Sequence, residues 1–144
     1  MRGDTKGFFM KRTSMTKAKW SPLKFNKNNM TKWNWMCQHH DNLHCGSKTD
    51  IGAFTYINAK NGVRLDDGVQ IGSHCSLYTV STIDNKKGPI NIGRNSKIGT
   101  HSTIMPGVTI GENVVIGAYS FVNKDVPSGV TAWGVPAKIQ SRQK

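Results

Sequence analysis

Residues 98–117 read IGTHSTIMPGVTIGENVVIG and place an isoleucine at every sixth position from Ile98 to Ile116. A helix repeats its buried face about every 3.6 residues and a strand every 2, so neither element alone explains this period. The register extends upstream to Ile92 and downstream to Val122 without a slip. The stretch therefore predicts a repeat architecture, in which each short unit buries its apolar face against the next unit.

The same period recurs upstream in two shorter runs, with one slip near Val63 and a longer break at residues 84–90. The upstream residues in register are Cys45, Ile51, Ile57 and Val63, followed by Leu65, Ile71, Leu77 and Ile83. Three six-residue units close a triangular coil of about 18 residues, whose apolar residues point inwards. Glycine and small polar residues then turn the corners, some at positive φ. We expect about four or five coils, paired as parallel strands ~4.8 Å apart.

The net charge of +12 is concentrated at one end of the chain. Residues 1–32 contain nine Lys or Arg and a single acidic residue, Asp4, so they contribute +8 and leave +4 for the remainder. A basic end joined to a weakly charged domain is typical of a solvated segment. We therefore divide the chain into a basic extension at residues 1–35, a repeat domain at 36–139 and a tail at 140–144. The extension is expected to be disordered or to form a short helix.

Two further features bear on the compartment in which the protein acts. No apolar run approaches the ~20 residues of a membrane span, and the first residues lack the apolar core of a secretory signal. The three cysteines, Cys37, Cys45 and Cys75, are odd in number and have no CxxC spacing, which indicates reduced thiols. The sequence thus predicts a soluble, cytoplasmic protein.

Residues 92–139 contain the motifs MPGVTIG, KDVP and GVPAKI in that order. With these motifs the chain resembles the hexapeptide-repeat acyltransferases, and is most similar to the galactoside- and maltose-type sugar O-acetyltransferases and the nucleotide-amino-sugar N-acetyltransferases. With the upstream coils, the resemblance extends over about two thirds of the chain. It implies an all-β fold, a left-handed parallel β-helix, assembled as a homotrimer. It also implies that an acetyl group is transferred from acetyl-CoA to a sugar.

Matching these motifs to the family carries its coenzyme A contacts onto five positions of this chain. They are Thr100, Ala118, Asn123, Lys124 and Lys138. The two lysines are suited to the phosphates, because ammonium groups form strong hydrogen bonds with anionic oxygens. A groove between two prisms of a trimer would accommodate the extended pantetheine arm.

Acyl transfer also needs a base to accept the proton of the acceptor. In the sugar O-acetyltransferases that the chain resembles, this base is a histidine in a corner loop, but the corresponding loop here, STIDNKKGPI at residues 81–90, contains none. Two histidines remain at outward corner positions of the coils, His74 and His101, and Asp84 is a candidate to orient one of them. We place His74 slightly ahead of His101.

The missing loop histidine also bears on the acceptor. A sugar amine is partly neutral near neutral pH and needs less help from a base than a hydroxyl does, which slightly favours an amino sugar, as used in surface-polysaccharide biosynthesis. The basic turn formed by Asn85, Lys86 and Lys87 suits the diphosphate of a nucleotide-linked substrate. Transfer to a sugar hydroxyl is the alternative.

Three other classes of protein are alternatives to the transferase. A γ-carbonic-anhydrase-like zinc enzyme would need closely spaced histidines, whereas His74 and His101 are 27 residues apart, and the cluster CQHHDNLHC at residues 37–45 matches no zinc-finger spacing, so we expect no metal. A scaffold or ice-binding prism would show a regular array of identical outward residues. Nucleic-acid binding rests on residues 1–35 alone and is disfavoured.

Overall fold

The computed structural model describes residues 23–142, which wind into five coils of a triangular prism with one parallel sheet on each face. The first face contains β1 (Met36–Gln38), β4 (Tyr56–Asn58), β7 (Ser76–Tyr78), β12 (Thr103–Ile104) and β15 (Phe121–Val122). The second contains β2 (Leu43–Cys45), β5 (Val63–Leu65), β10 (Ile90–Ile92) and β13 (Thr109–Ile110). The third contains β3 (Asp50–Ile51), β6 (Gln70–Ile71), β11 (Lys97–Ile98), β14 (Val115–Ile116) and β16 (Val130–Gly134).

Three elements stand outside the parallel coils. The last strand, β17 (Ala137–Arg142), folds back antiparallel on β16, and the pair β8 (Val80–Ser81) and β9 (Lys86–Lys87) forms a hairpin that projects from the third coil. A single 3-10 turn covers His40–Asn42. The predicted all-β, parallel β-helix is confirmed.

The core is a set of columns in which each coil contributes the inward residue of its strand. On the first face, for example, Leu77 lies between Ile57 and Ile104 in register, and all three are 0% exposed. Because parallel strands repeat the same register from coil to coil, like residues stack on like residues. Burying each such side chain contributes about 1.5–3 kcal/mol of transfer free energy.

The hairpin overturns one position of the predicted register. Ile83 falls in step with Leu77 along the sequence, yet it is 97% exposed at the tip of the turn between β8 and β9. The chain leaves the coil after Tyr78 and returns to it at Ile90. A hydrogen bond from the Gly88 amide to the Thr79 carbonyl, at 3.0 Å, closes this insertion. The prediction that Ile83 points into the prism is therefore wrong.

At the corners, positive φ and close packing between coils are found at two different positions of the hexapeptide. Positive φ falls on the fourth position, as at Asn95 (60°) and Asn113 (55°), and not on the glycines of the second position. Those glycines serve close packing instead: a Cβ at Gly99 would lie 2.5 Å from the amide nitrogen of Ala118 on the next coil. The spacing between coils thus requires glycine where the turn conformation does not.

We expect Gly99→Ala to lower the free energy of unfolding by about 3 kcal/mol, because overpacking against a backbone atom cannot be relieved by a rotamer change. The matched control is Gly107→Ala, since Gly107 has a φ of 82° and nothing within 4 Å of an added Cβ. Backbone strain alone should destabilise that variant by about 1 kcal/mol. Equal unfolding midpoints for the two variants in urea would contradict the assigned role of Gly99.

Aromatic residues cover the exposed end of the first coil. Trp35 is 3% exposed and joins the core, and Phe25 packs edge-on against it at 5.7 Å. Phe25 also stacks on the His40 ring at 4.2 Å.

Residues 1–22, most of the predicted basic extension, lie outside the described residues. Between residues 23 and 142 the chain forms no helix long and apolar enough to cross a membrane.

All three thiols are free, and all are shielded. Burial raises the pKa of Cys37 to about 12 and that of Cys45 to about 11, and it also raises the pKa of Cys75. Because the thiolate is the reactive species, we expect a thiol reagent in mildly alkaline buffer to modify the native protein at least about a hundredfold more slowly than the unfolded chain. Mass spectrometry of the alkylated protein measures this, and rapid modification of Cys37 before unfolding would contradict its burial.

Candidate active site

Four side chains stack along the corner that joins the third face to the first. Phe54, His74, His101 and Tyr119 come from successive coils, and together we name them the ring ladder. Ring centroids are 5.1 Å apart for Phe54 and His74, 4.7 Å for His74 and His101, and 4.7 Å for His101 and Tyr119. The two imidazoles are within 3° of parallel. The structure therefore brings together the two histidines proposed as alternative bases.

The ladder is held by the backbone of the coils beneath it. The His74 amide donates to Ala53 at 3.0 Å and the His101 amide to Ser73 at 3.1 Å. Every ladder residue adopts left-handed φ angles between 58° and 65°. This conformation is unfavourable for a residue with a side chain by about 1–2 kcal/mol. Histidine adopts it more readily than phenylalanine or tyrosine does, so turn preference does not explain Phe54 and Tyr119. Backbone strain of this kind collects at functional sites.

The corner between the second and third faces gives a useful contrast. Its left-handed positions are occupied by Lys48, Gly68, Asn95, Asn113 and Gly129, of which all but the lysine are residue types that tolerate the conformation well. At the ladder corner, by contrast, Phe54 is 63% and Tyr119 65% exposed, so burial does not explain these aromatic residues either. Neither aromatic residue is among the predicted site residues, although both share the fourth hexapeptide position with the two histidines.

Only one ladder imidazole is fixed by a side-chain hydrogen bond within residues 23–142. Nδ1 of His101 lies 2.9 Å from Oγ1 of Thr100, which in turn donates to the Ser73 carbonyl at 2.7 Å. His74 stacks against the rings of Phe54 and His101, but no side-chain hydrogen bond between residues 23 and 142 orients its imidazole. The two candidate bases therefore differ in how firmly their rings are oriented.

The five predicted coenzyme A positions fall into separate groups. Thr100 and Ala118 follow each other on adjacent coils at the ladder corner. Asn123 and Lys124 are exposed at the next corner, beyond β15. Lys138 is exposed on β17, where it pairs with Trp133 of β16.

The hairpin residues do not reach the ladder within one protomer. Asp84 lies beyond the far end of β7 from His74, and its carboxylate is 3.7 Å from the Lys86 ammonium. A hydrogen bond from Ser81, together with Lys86, lowers the pKa of this exposed carboxyl. The structure thus separates Asp84 from the imidazole that it was predicted to orient. Asn85 and Lys87 are exposed on the same hairpin.

Two further polar clusters, at residues 37–45 and in a surface cleft, contain none of the predicted site residues. Nowhere between residues 23 and 142, the stretch from 37 to 45 included, do three or more His, Cys, Asp or Glu side chains converge as metal ligands would. A cleft of about 480 Å³ at the corner between the second and third faces is lined by Arg64, Asp66 and Arg94, among others. The Arg64 side chain is paired with Asp66 at 3.2 Å.

Part of the repeat is similar to a described family of proteins. Residues 89–124 match the model of the bacterial transferase hexapeptide (six repeats) family. Among curated proteins, galactoside O-acetyltransferase of Escherichia coli (strain K12) is 59% identical, over 65% of this chain and 54% of the relative. The chain thus spans about half the length of that relative.

Two solved structures resemble the prism over most of its length. A hexapeptide-repeat acetyltransferase from Vibrio cholerae, complexed with acetyl-CoA, has a TM-score of 0.72 and 29% identity over 76% of this chain and 65% of that one. A maltose O-acetyltransferase from Clostridium difficile has a TM-score of 0.68 and 28% identity over 77% and 64% of the two chains. The six-residue period fits the left-handed form of the β-helix. Residues 89–124 are therefore bacterial transferase hexapeptide repeats, in a β-helix similar to those of the hexapeptide-repeat acetyltransferases.

Proposed function

We propose that the protein is an acetyl-CoA-dependent acetyltransferase that acts on a sugar. The observation that carries the proposal is the exposed imidazole of His101, which is oriented by Thr100 and stacks on Tyr119, the residue after Ala118. Thr100 and Ala118 are positions that match the family's coenzyme A contacts. The similarity to a galactoside O-acetyltransferase and a maltose O-acetyltransferase supports a sugar as the acceptor.

In this reaction the ring ladder supplies the base. An imidazole nitrogen takes the proton of the acceptor hydroxyl or amine while the acceptor atom bonds to the thioester carbonyl carbon. The carbon–sulfur bond then breaks, and the imidazolium returns the proton to the departing thiolate. The products are the acetylated sugar and free coenzyme A. Of the two ladder histidines, we assign this role to His101.

The described residues fit the acetyl-CoA donor, whose thioester supplies the activated acetyl group. Thr100 and Ala118 offer a small hydroxyl and a small apolar side chain at an open corner, where a pantetheine arm can approach the backbone. Lys124 and Lys138 are exposed cations suited to phosphates. These two groups lie on different parts of one prism, which supports a groove shared by neighbouring protomers of a homotrimer.

Two acceptor chemistries remain as candidates, and different observations favour them. The relatives named as O-acetyltransferases, together with an imidazole able to act as base, favour a sugar hydroxyl. The hairpin bearing Asn85, Lys86 and Lys87 has no histidine, and its two lysines suit the diphosphate of a nucleotide-linked amino sugar. We place the hydroxyl first because the ladder provides the base that the hairpin lacks.

Reduced thiols and the donor itself support a cytoplasmic location. The three described cysteines are free and form no disulfide with one another. Disulfides are rare in the reducing cytosol, where acyl-CoA thioesters are made and used.

Saturating acetyl-CoA should raise the melting temperature of the full chain, because a ligand that binds the folded state stabilises it by about 2.7 kcal/mol at a hundredfold excess over its dissociation constant. AMP at the same concentration is the control for weak anion binding. A coupled assay for released coenzyme A, run with simple glycosides and nucleotide-linked amino sugars, then identifies the acceptor. The absence of a shift with acetyl-CoA would contradict the proposed function.

A further inference from the structure

The hydroxyl of Thr100 has one proton and two polar partners within 3 Å, and the Ser73 hydroxyl lies farther away at 3.3 Å. Oγ1 of Thr100 is 2.7 Å from the Ser73 carbonyl oxygen and 2.9 Å from Nδ1 of His101. A carbonyl oxygen only accepts hydrogen bonds, so the shorter contact is a bond only when the hydroxyl donates to it. The Thr100 proton is therefore directed at Ser73.

This leaves the lone pairs of Oγ1 facing the imidazole. The contact with His101 is attractive only when Nδ1 bears a hydrogen and donates it to Oγ1. A neutral imidazole has one N–H, so a proton on Nδ1 leaves Nε2 unprotonated. The hydrogen bond made by one ring nitrogen therefore fixes the protonation of the other. If the hydroxyl instead donated to Nδ1, two oxygens would face each other at 2.7 Å without a proton between them.

The same arrangement suits the protonated ring. When Nε2 accepts a proton, Nδ1 keeps its hydrogen and its bond to Thr100, so no hydrogen bond has to be rearranged during the reaction. The rings of His74 and Tyr119, each 4.7 Å away, hold the imidazole plane from both sides. Orientation and tautomer are thus set by different neighbours.

We propose that Thr100 is a positioning residue that holds the proton of His101 on Nδ1, with the Ser73 carbonyl as the anchor, and so presents Nε2 as the base. This inference rests on the proposed function for its catalytic meaning, but not for the tautomer itself. Thr100 acts through His101, and its effect is separate from any contact that it makes with coenzyme A.

The tautomer can be read directly by long-range ¹H–¹⁵N NMR of the full chain labelled in histidine, in alkaline solution, where free imidazole is neutral. His101→Asn identifies the signals of His101. We expect a pyrrole-type Nδ1 and a pyridine-type Nε2 in the wild type, and a mixture of tautomers in Thr100→Val, which keeps the shape and loses the hydroxyl. Thr100→Ser should restore the single tautomer.

Ser73→Ala is the matched control, because it removes the neighbouring hydroxyl at 3.3 Å from Thr100 Oγ1 but keeps the carbonyl anchor. It should leave the His101 signals unchanged. A wild type protonated on Nε2, or a Thr100→Val variant with the wild-type tautomer, would overturn the inference. Either result would leave the acetyl-CoA binding test of the proposed function untouched.

The catalytic meaning is tested by kinetics on the same variants. We expect Thr100→Val to lower kcat about tenfold or more, as loss of the correct tautomer does in other imidazole bases, with recovery in Thr100→Ser. A rise in the KM for acetyl-CoA without a change in kcat would show a coenzyme A contact and not a positioning role. That outcome would also overturn the inference.

Discussion

His101→Asn loses turnover by ~10² or more, the loss expected when a general base is removed, while the affinity for acetyl-CoA stays within about twofold of the wild type. Asparagine is the sharper substitution than alanine, because it tolerates the left-handed φ of 60° at this position and cannot accept the proton. Steady-state kinetics gives kcat, and isothermal titration with acetyl-CoA gives the affinity. The unfolding midpoint should change little.

Two control variants make this result specific. His39→Asn replaces an exposed histidine that also has a left-handed φ, 58°, but lies outside the ladder, and it should retain full turnover. His74→Asn removes the imidazole stacked on His101 and should lower kcat less than His101→Asn does. If His74→Asn produced the larger loss, the base would be His74 and the assignment to His101 would be wrong.

Leu77→Ala destabilises the protein by about 2–5 kcal/mol, the range measured when a fully buried leucine is truncated and leaves a cavity. Leu77 is 0% exposed between Ile57 and Ile104, in a column that the neighbouring coils cannot fill. Urea unfolding followed by circular dichroism at one fixed protein concentration measures the change, since assembly makes apparent stability depend on concentration.

Ile83→Ala is the matched control, because Ile83 stands six residues after Leu77 and occupies the same position of the sequence repeat. Its side chain is 97% exposed, so truncation should change the free energy of unfolding by less than about 0.5 kcal/mol. Equal losses for the two variants would mean that residues 77–83 continue the coil and that the hairpin is not formed.

The six-residue period by itself determined the stacked coils, and the family resemblance supplied their handedness. A period that fits neither helix nor strand leaves stacked coils as the arrangement that buries one apolar residue of each unit, and the column through Ile57, Leu77 and Ile104 follows from it. The same logic placed His74 and His101 at outward corners, because the fourth position of each unit faces away from the core.

The tertiary structure decided what the period could not. An insertion hides the phase between coils, so the stacking of His74 on His101 at 4.7 Å could not be read from residues 27 apart in sequence. The exposure of Ile83 depends on antiparallel pairing within the hairpin, which a pattern of apolar residues does not record. Likewise the tautomer of His101 depends on the carbonyl of Ser73 one coil away, because hydrogen bonds between coils join atoms that only winding brings together.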